Sequence, residues 1–263
     1  MEVNDLKQRI VELANLLKEA EDSRVGILPL TEQEEKITVD EAYHIQLENV
    51  KRKVEAGHTI TGKKIGLTSL AMQRQLGVGE PDYGHLLDSM QIENHGVIPK
   101  NKILQPKVEA EIAFVLNKDL KGPNVTALDV LLATDYIVPA LEIVDSRIKD
   151  WKIQLEDTIA DNASSGFYVL GEKRVKLTEV NLELLGMVFS KNGRTVNTGV
   201  GAAALGNPAV CVAWLANKLA QYGSSLYAGE VILSGALSAS AEANEGDEFT
   251  ARFAHLGEVH VRF

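Results

Sequence analysis

Cysteine is almost absent from this sequence. Cys211 is the single cysteine among 263 residues. It cannot form a disulfide within the chain, and a metal site built from several cysteines of one chain is excluded as well. A lone cysteine of this kind most often serves as a small apolar side chain. We therefore expect Cys211 to be buried in the core.

Long apolar runs are also missing. The longest uninterrupted run covers residues 209–216, far short of the about 20 residues that span a bilayer. The first 23 residues are charged and have helical spacing, without the continuous apolar segment of a signal peptide. These two absences predict a cytoplasmic protein with no membrane partner.

Positive charge is scarce, since 27 Lys and Arg face 37 Asp and Glu for a net charge of −10. Nucleic acid and anionic membrane surfaces both require clustered positive charge, so neither is expected as a partner. Seven prolines and 21 glycines are too few for a fibrous or linker-rich chain, and the 45% hydrophobic content is typical of a folded globule.

Several catalytic motifs have no match. The glycines at 62 and 66 lack the Gly-Lys-Ser/Thr order of a phosphate-binding loop, and those at 199, 201 and 206 miss the dinucleotide spacing. No serine occupies a Gly-x-Ser-x-Gly elbow, and the six histidines are scattered without metal-binding pairs. Nucleotide cofactors and serine-hydrolase chemistry are therefore disfavoured.

The pattern along the chain predicts helices first and strands afterwards. An amphipathic N-terminal helix is indicated by the three- and four-residue spacing of Leu6, Ile10, Leu13 and Leu17. Thr38 and Glu41 form a capping box for a second helix that ends near Gly57. We predict an N-terminal helical region at residues 1–58 and a β-rich catalytic core at 59–263, which can also form one compact unit. The expected class is α+β, built around a mixed sheet or roll.

Turn residues add detail to the β-rich part. Asn192-Gly193 lies between two strand-like segments and predicts a tight hairpin with positive φ at both residues. Asn207-Pro208 predicts the start of a helix, which Gly223 would follow. The alternating segment 248–263 predicts two antiparallel strands.

The most informative segment is the predicted strand at 108–116. Glu109 and Glu111 share one face of this strand, about 7 Å apart along it, while apolar residues fill the other face. Glu142 stands among apolar residues in a second predicted strand. Three converging carboxylates would repel one another unless a cation neutralised them, and oxygen ligands select Mg²⁺ or Mn²⁺ over zinc. The alternative is that Glu109 and Glu111 line the wet face of an edge strand while Glu142 pairs with a Lys or Arg.

Two further segments could contribute to a site. Lys63 and Lys64 point to opposite faces of a predicted strand, so one of them faces inward, either to bind an anion or move a proton or simply to form an ion pair. The polar run at 157–165 is interpreted as a loop that either covers a site or forms a solvated connection.

Taken together, these segments resemble a known family. The strings are GKKIGLTS, EPDYG, QPKVEAEIAFVL, VPALEIVDSRIKDWK, DTIADNASSG, VAWLANKL and AGEVILSGAL. Their order is similar to that of the 2-hydroxypenta-2,4-dienoate (2-keto-4-pentenoate) hydratases of the fumarylacetoacetate hydrolase superfamily. The similarity extends from about residue 38 to the C-terminus, with a weaker match in the N-terminal helical part.

The resemblance implies a fold and a set of site residues. The fold is a mixed β-sheet roll of the fumarylacetoacetase C-terminal type with an appended N-terminal helical region. A divalent metal, Mg²⁺ or Mn²⁺, would be held by the three carboxylates, Glu109, Glu111 and Glu142. Lys64 and Asp82 would be catalytic, and Ser164 and Ser234 would bind substrate. The superfamily's hydrolases use a Glu-His pair to activate water, and no matching histidine is found, which disfavours C–C hydrolysis.

The activity implied is that of a lyase in the meta-cleavage degradation of aromatic compounds. Protonation of 2-hydroxypenta-2,4-dienoate at C5, followed by addition of water at C4, yields 4-hydroxy-2-oxopentanoate. The alternatives are 4-oxalocrotonate decarboxylase, a hydratase of a longer 2-oxo-diacid, and an inactive metal-binding structural or regulatory protein. The expected partners are a small anionic 2-hydroxydienoate or 2-oxo acid, further copies of the chain in a homo-oligomer, and a second enzyme of the pathway.

Overall fold

The computed structural model describes residues 3–34 and 36–263 of the chain. The helices are α1 Val3–Ser23, α2 Leu30–Gln33, α3 Val39–Glu55, α4 Leu70–Leu76, α5 Ala127–Ala133, α6 Leu155–Ala160 and α7 Pro208–Ala220. The strands are β1 Ile60–Gly66, β2 Asp82–Leu87, β3 Gln91–Ile92, β4 Lys107–Leu116, β5 Thr134–Val144, β6 Ser165–Leu170, β7 Gly186–Lys191, β8 Arg194–Val200, β9 Val231–Leu233, β10 Ala241–Glu242, β11 Glu248–Phe253 and β12 Gly257–Arg262. Single 3₁₀ turns lie at Asp88–Met90, Lys100–Lys102, Lys149–Trp151, Asn162–Ser164, Leu177–Glu179 and Gly201–Ala203.

The larger sheet is mixed. Within the described residues it contains eight strands in the order β2-β1-β9-β4-β5-β6-β3, with β10 paired to β4. The pairs β1–β9 and β3–β6 are parallel, and the other pairs are antiparallel. A mixed sheet combined with helices that do not alternate regularly with strands confirms the predicted α+β class.

The second sheet is antiparallel and follows the order β12-β11-β7-β8. Asn192 and Gly193 join β7 to β8 with φ values of 52° and 73°, so the predicted hairpin is confirmed. The strands β11 and β12 form the second predicted hairpin.

The predicted helix boundaries agree closely with the structure. Thr38 Oγ1 accepts a hydrogen bond from the Glu41 amide at 3.2 Å, and Glu41 Oε2 accepts one from the Thr38 amide at 2.8 Å. This capping box starts α3, which ends at Glu55, two residues before Gly57. Asn207 caps α7 by accepting a hydrogen bond from the Ala209 amide at 2.9 Å. Cys211 is buried in α7, as expected.

One hydrophobic core connects the N-terminal helices to the strands. Leu13 and Leu17 of α1 and Tyr43 of α3 belong to the same buried cluster as Ile112 and Phe114 of β4. The division of the chain at residues 58 and 59 stays a prediction. Among the described residues, no helix is both long enough and apolar enough to cross a membrane.

Candidate metal and catalytic site

The register of two central strands brings three carboxylates together. In the antiparallel pair of β4 and β5, Glu109 lies directly opposite Glu142, and Glu111 lies opposite Ala140. Glu109 and Glu111 are on one face because they are two residues apart in a strand. One carboxylate oxygen from each of the three residues lies within 4.8 Å of the others.

Glu109 is partly exposed, but the other two carboxylates are buried with few compensating contacts. Glu111 is fully buried, and Glu142 is 1% exposed. Glu111 Oε2 accepts a hydrogen bond from the Gly235 amide at 2.7 Å. Its other oxygen and both oxygens of Glu142 have no hydrogen-bond partner among the described residues. Burial raises the pKa of both carboxyls. For Glu111, the charge of Glu142 raises the pKa further. Unpartnered carboxylate oxygens at this spacing fit a hard divalent cation such as Mg²⁺ or Mn²⁺.

The structure decides between the two interpretations of the strand. β4 lies between β9 and β5, so Glu109 and Glu111 are not on the wet face of an edge strand. One part of that alternative is nevertheless present, because Glu142 Oε1 lies 3.2 Å from the Nζ atom of Lys64. The ion pair supplies one positive charge beside three carboxylates, which leaves an excess of negative charge for a cation.

Both adjacent lysines are buried, whereas the sequence predicted only one to face inward. Lys63 is 2% exposed and lies 2.5 Å from Glu230, while Lys64 is 3% exposed and points to the carboxylates. The reason is that both faces of β1 are covered by other parts of the chain: Lys63 contacts Glu230 and the ring of Tyr227, whereas Lys64 contacts Glu142 and the carbonyl of Ala163. Burial alone would lower the pKa of Lys64, but the carboxylates, led by Glu142, raise it above its usual value.

Asp82 lies next to Lys64 at the start of β2. Its register partner is Gly66, and a Cβ atom on Gly66 would lie 2.1 Å from Asp82 Oδ1 and 3.4 Å from Lys64 Nζ. Glycine at this position therefore allows the two charged groups to approach each other. Burial raises the pKa of Asp82 despite the opposing charge of Lys64. No described residue donates a hydrogen bond to Asp82 Oδ1.

The segment 157–165 is not a solvated loop, which corrects the sequence interpretation. Its first half belongs to α6, and Asp157, Asp161 and Ser164 are buried. Ser164 Oγ lies 3.4 Å from the hydroxyl of Thr158, which in turn lies 3.4 Å from Asp82 Oδ2. Ser164 is thus close to the other predicted site residues. Thr158 is a neighbour that the sequence did not single out, because its residue type carries no signal of a site.

The hydroxyl of Ser234 contacts the backbone of β4 and not the other predicted site residues. Ser234 is fully buried, and its hydroxyl donates a hydrogen bond to the Ile112 carbonyl at 2.8 Å. Its role in substrate binding stays a prediction, and the structure gives its hydroxyl a contact within the sheet instead.

A cavity of about 340 Å³ opens beside these groups. Its lining includes Lys64, Asp82, Glu109, Trp151, Thr158 and Ser164. A second cavity of about 400 Å³ adjoins it and shares Gly66, Leu67, Glu109 and Ser240 with it. The walls of the second cavity are largely apolar and include Ile65, Ala71, Ala203, Ala236 and Leu237. A small molecule with a polar end at the carboxylates and an apolar tail would fit this shape.

The affinity of the carboxylates for Mn²⁺ is expected to rise with pH. Burial, followed by the charge of Glu142, raises the pKa of Glu109 to about 7. A carboxyl group must lose its proton before it binds a metal, so binding below this pKa releases protons, and the affinity rises by up to about tenfold per pH unit. Calorimetric titration in buffers of different ionisation enthalpy measures both the affinity for Mn²⁺ and the number of protons released on binding. An affinity that is constant between about pH 5 and 7 would contradict the assignment of these ligands.

Comparison with known proteins finds relatives over most of the chain. Residues 72–263 match the family described as fumarylacetoacetate (FAA) hydrolase C-terminal. A 2-hydroxypent-2,4-dienoate hydratase of Pseudomonas putida is 50% identical over 218 residues, which cover 82% of this chain and 98% of that protein. A 2-keto-4-pentenoate hydratase of Paraburkholderia xenovorans is 47% identical and covers 97% of this chain and 95% of its own length.

A solved structure is similar over nearly the whole chain. It is a 4-oxalocrotonate decarboxylase from Pseudomonas putida G7, complexed with magnesium and adipate, with a TM-score of 0.95 and 39% identity. The match covers 98% of both chains. The predicted superfamily and fold are confirmed, and the chain belongs to the fumarylacetoacetate (FAA) hydrolase C-terminal family.

Proposed function

We propose that this chain is a metal-dependent lyase that hydrates 2-hydroxypenta-2,4-dienoate to 4-hydroxy-2-oxopentanoate. The observation that carries the proposal is the convergence of the carboxylate triad, Lys64 and Asp82 beside one cavity. The two curated relatives described above, both hydratases, support the same reaction.

The triad of Glu109, Glu111 and Glu142 would hold Mg²⁺ or Mn²⁺. Glu111 Oε1 and Glu142 Oε2 fit this role, because they make neither a hydrogen bond nor an ion pair with the described residues and one ammonium does not balance three carboxylates. A divalent ion in this position would bind the carboxylate and the 2-oxygen of a substrate and stabilise the negative charge that develops there.

Lys64 and Asp82 are the groups placed to move protons. In the first stage the 2-hydroxyl of the dienol loses a proton and C5 gains one, which gives 2-oxopent-3-enoate. In the second stage water adds across the remaining double bond, with its oxygen at C4 and a proton at C3. Lys64 lines the cavity as an ammonium that can donate a proton, and Asp82 can accept one at the oxygen to which no described residue donates a hydrogen bond. Ser164 would contact the substrate from the α6 side of the cavity.

The second candidate is decarboxylation of 4-oxalocrotonate, which the similarity to the solved decarboxylase favours. That substrate carries a second carboxylate. The adjoining cavity favours an uncharged tail, because no lysine or arginine is among its described lining residues. In the first cavity, Lys107 is a lysine that a second carboxylate could reach. Its ammonium already lies 4.4 Å from the centre of the Trp151 ring.

Turnover of the two substrates distinguishes these reactions. With Mg²⁺ present, we expect loss of the conjugated ultraviolet band of 2-hydroxypenta-2,4-dienoate, with formation of 4-hydroxy-2-oxopentanoate and no release of CO₂. The same assay with the six-carbon diacid measures both absorbance and CO₂. Release of CO₂ from the diacid without turnover of the five-carbon dienol would overturn the proposal.

A third candidate is an inactive metal-binding protein. Oxalate tests it, because oxalate chelates a divalent ion in the manner of a 2-oxo acid. An active site of the proposed kind binds oxalate only when Mn²⁺ is present, and calorimetry with and without the metal measures this dependence. Oxalate binding that is independent of Mn²⁺ would contradict the enzymatic role.

A homo-oligomer in the cytoplasm, with a pathway enzyme as a further partner, is also part of this proposal. Large apolar side chains support self-association, since Leu128 and Leu132 of α5 are each 63% exposed and Leu184 is 73% exposed. Light scattering that gives the mass of one chain, 28.7 kDa, would contradict the oligomer.

A further inference from the structure

Three consecutive residues beside Lys64 have a left-handed backbone. The φ values of Asn162, Ala163 and Ser164 are 54°, 50° and 53°. None of them is glycine, and a non-glycine residue in this region costs about 1 kcal/mol or more. Such a conformation persists only where the surrounding structure imposes it. We call residues 162–164 the left-handed turn.

Arg147 binds the chain on both sides of the left-handed turn. Its Nε and Nη2 atoms donate to the side chain and the carbonyl of Asp161, which precedes the turn. Its Nη1 atom donates to the carbonyl of Ser165, which follows the turn, at 2.9 Å. Arg147 is 8% exposed and Asp161 is 2% exposed. A buried guanidinium with several fixed donors defines the path of the chain at both ends of the turn.

Asn162 attaches the turn to β2. Its Nδ2 atom donates to the His85 carbonyl at 2.9 Å, and its Oδ1 atom accepts from the His85 amide at 2.8 Å. Gly84 permits this approach, since a Cβ atom there would lie 2.3 Å from the Asn162 carbonyl oxygen. The side chain of Asn162 therefore makes the two hydrogen bonds to the His85 backbone that a neighbouring strand would otherwise make. These bonds determine the distance between the turn and β2.

The turn presents two groups to the site. The Ala163 carbonyl accepts a hydrogen bond from Lys64 Nζ at 2.9 Å, and it is the neutral partner of that ammonium. The Ser164 hydroxyl faces Thr158, which contacts Asp82. If the turn relaxed to ordinary negative φ angles, both groups would be redirected away from Lys64 and Asp82.

We propose that Asn162 and Arg147 are positioning residues: they hold the left-handed turn so that Ala163 and Ser164 keep Lys64 and Asp82 in the reactive arrangement. Neither side chain touches the proposed metal ligands in the contacts described for it. The inference rests on the proposed function, in which Lys64 and Asp82 move protons.

The test uses Asn162→Gly, because glycine accepts a positive φ and removes only the side-chain attachment to His85. We expect kcat for the dienol to fall by about 10- to 100-fold, as is typical when catalytic groups are misplaced by about 1 Å. The KM and the affinity for Mn²⁺ should stay close to the wild-type values, since the triad is unchanged. Arg147→Lys keeps the charge but loses several of the hydrogen-bond donors. Its kcat should also fall while its KM stays close to the wild-type value.

Phe189→Leu serves as the control for a loss of stability alone. Phe189 is fully buried in β7 of the second sheet and lines neither of the two cavities, so this variant should melt at a lower temperature and keep its kcat. The inference fails if Asn162→Gly and Arg147→Lys keep the wild-type kcat, or if Phe189→Leu loses kcat to the same degree. Full activity of Lys64→Met would instead overturn the proposed function itself.

Discussion

Replacement of Glu109 by Gln is expected to abolish metal-dependent activity and leave the fold intact. The amide has nearly the same size as the carboxylate but no charge, so the site loses an anionic ligand. We expect the affinity for Mn²⁺ to fall by at least about 100-fold. This is more than the loss usual when a residue that only hydrogen-bonds to a metal ligand is replaced. Calorimetric titration with Mn²⁺ measures this loss, and circular dichroism measures the fold.

The metal-free variant should also be more stable than the metal-free wild type at pH 8. Burial and the charge of Glu142 raise the pKa of Glu109 in the folded chain, so folding opposes ionisation of this carboxyl. A raised carboxyl pKa contributes stability that is lost as the pH rises through about 7, and the uncharged amide of the variant has no such loss. Thermal unfolding in the presence of a chelator should therefore show a higher midpoint for Glu109→Gln.

Glu230→Gln provides the matched control. Glu230 is a buried carboxylate that pairs with Lys63, on the opposite face of β1 from Lys64. This variant should bind Mn²⁺ with the wild-type affinity. Unchanged Mn²⁺ binding in Glu109→Gln, or an equal loss in Glu230→Gln, would contradict the assignment of the triad.

Local pattern was sufficient to predict part of this site. The alternation of side chains along a strand places Glu109 and Glu111 on one face, and the structure has them there. The pairing of Glu109 with Glu142 is different, because it depends on the register of two strands whose connection includes α5. Spacing does not determine such a register. The pattern alone left Glu142 either as a third metal ligand or as the partner of a Lys or Arg, and the resemblance to a family favoured the first.

Long-range pairing also explains where the sequence interpretation was wrong. Both Lys63 and Lys64 are buried because distant segments of the chain cover the two faces of β1, with Glu230 against Lys63 and Ala163 against Lys64. The left-handed turn was not foreseen either, since Ala163 is a residue type that rarely adopts positive φ. Its conformation is imposed by Arg147 and by β2, and neither contact is visible in the local sequence.

Replacement of Lys64 by Met is expected to reduce kcat by about 100- to 10,000-fold, the range usual for removal of a group that transfers protons. Lys64 donates to the Ala163 carbonyl at 2.9 Å and lies 3.2 Å from Glu142. Loss of its charge leaves Glu142 without its cationic neighbour, so the triad should bind Mn²⁺ at least as tightly as before. Steady-state kinetics with saturating Mn²⁺ and calorimetric titration measure the two effects separately.

The adjacent lysine gives a matched control for this prediction. Lys63 is buried to the same degree but pairs with Glu230 on the other face of β1. The double variant Lys63→Met with Glu230→Gln removes both charges of that pair, so no unpaired charge remains buried. It should retain kcat, because neither residue faces the cavity that holds Lys64. If the double variant lost as much activity as Lys64→Met, the loss would reflect damage to β1 rather than removal of a proton-transferring group. If Lys64→Met alone lost activity while gaining affinity for Mn²⁺, the ammonium would be required for catalysis and not for assembly of the site.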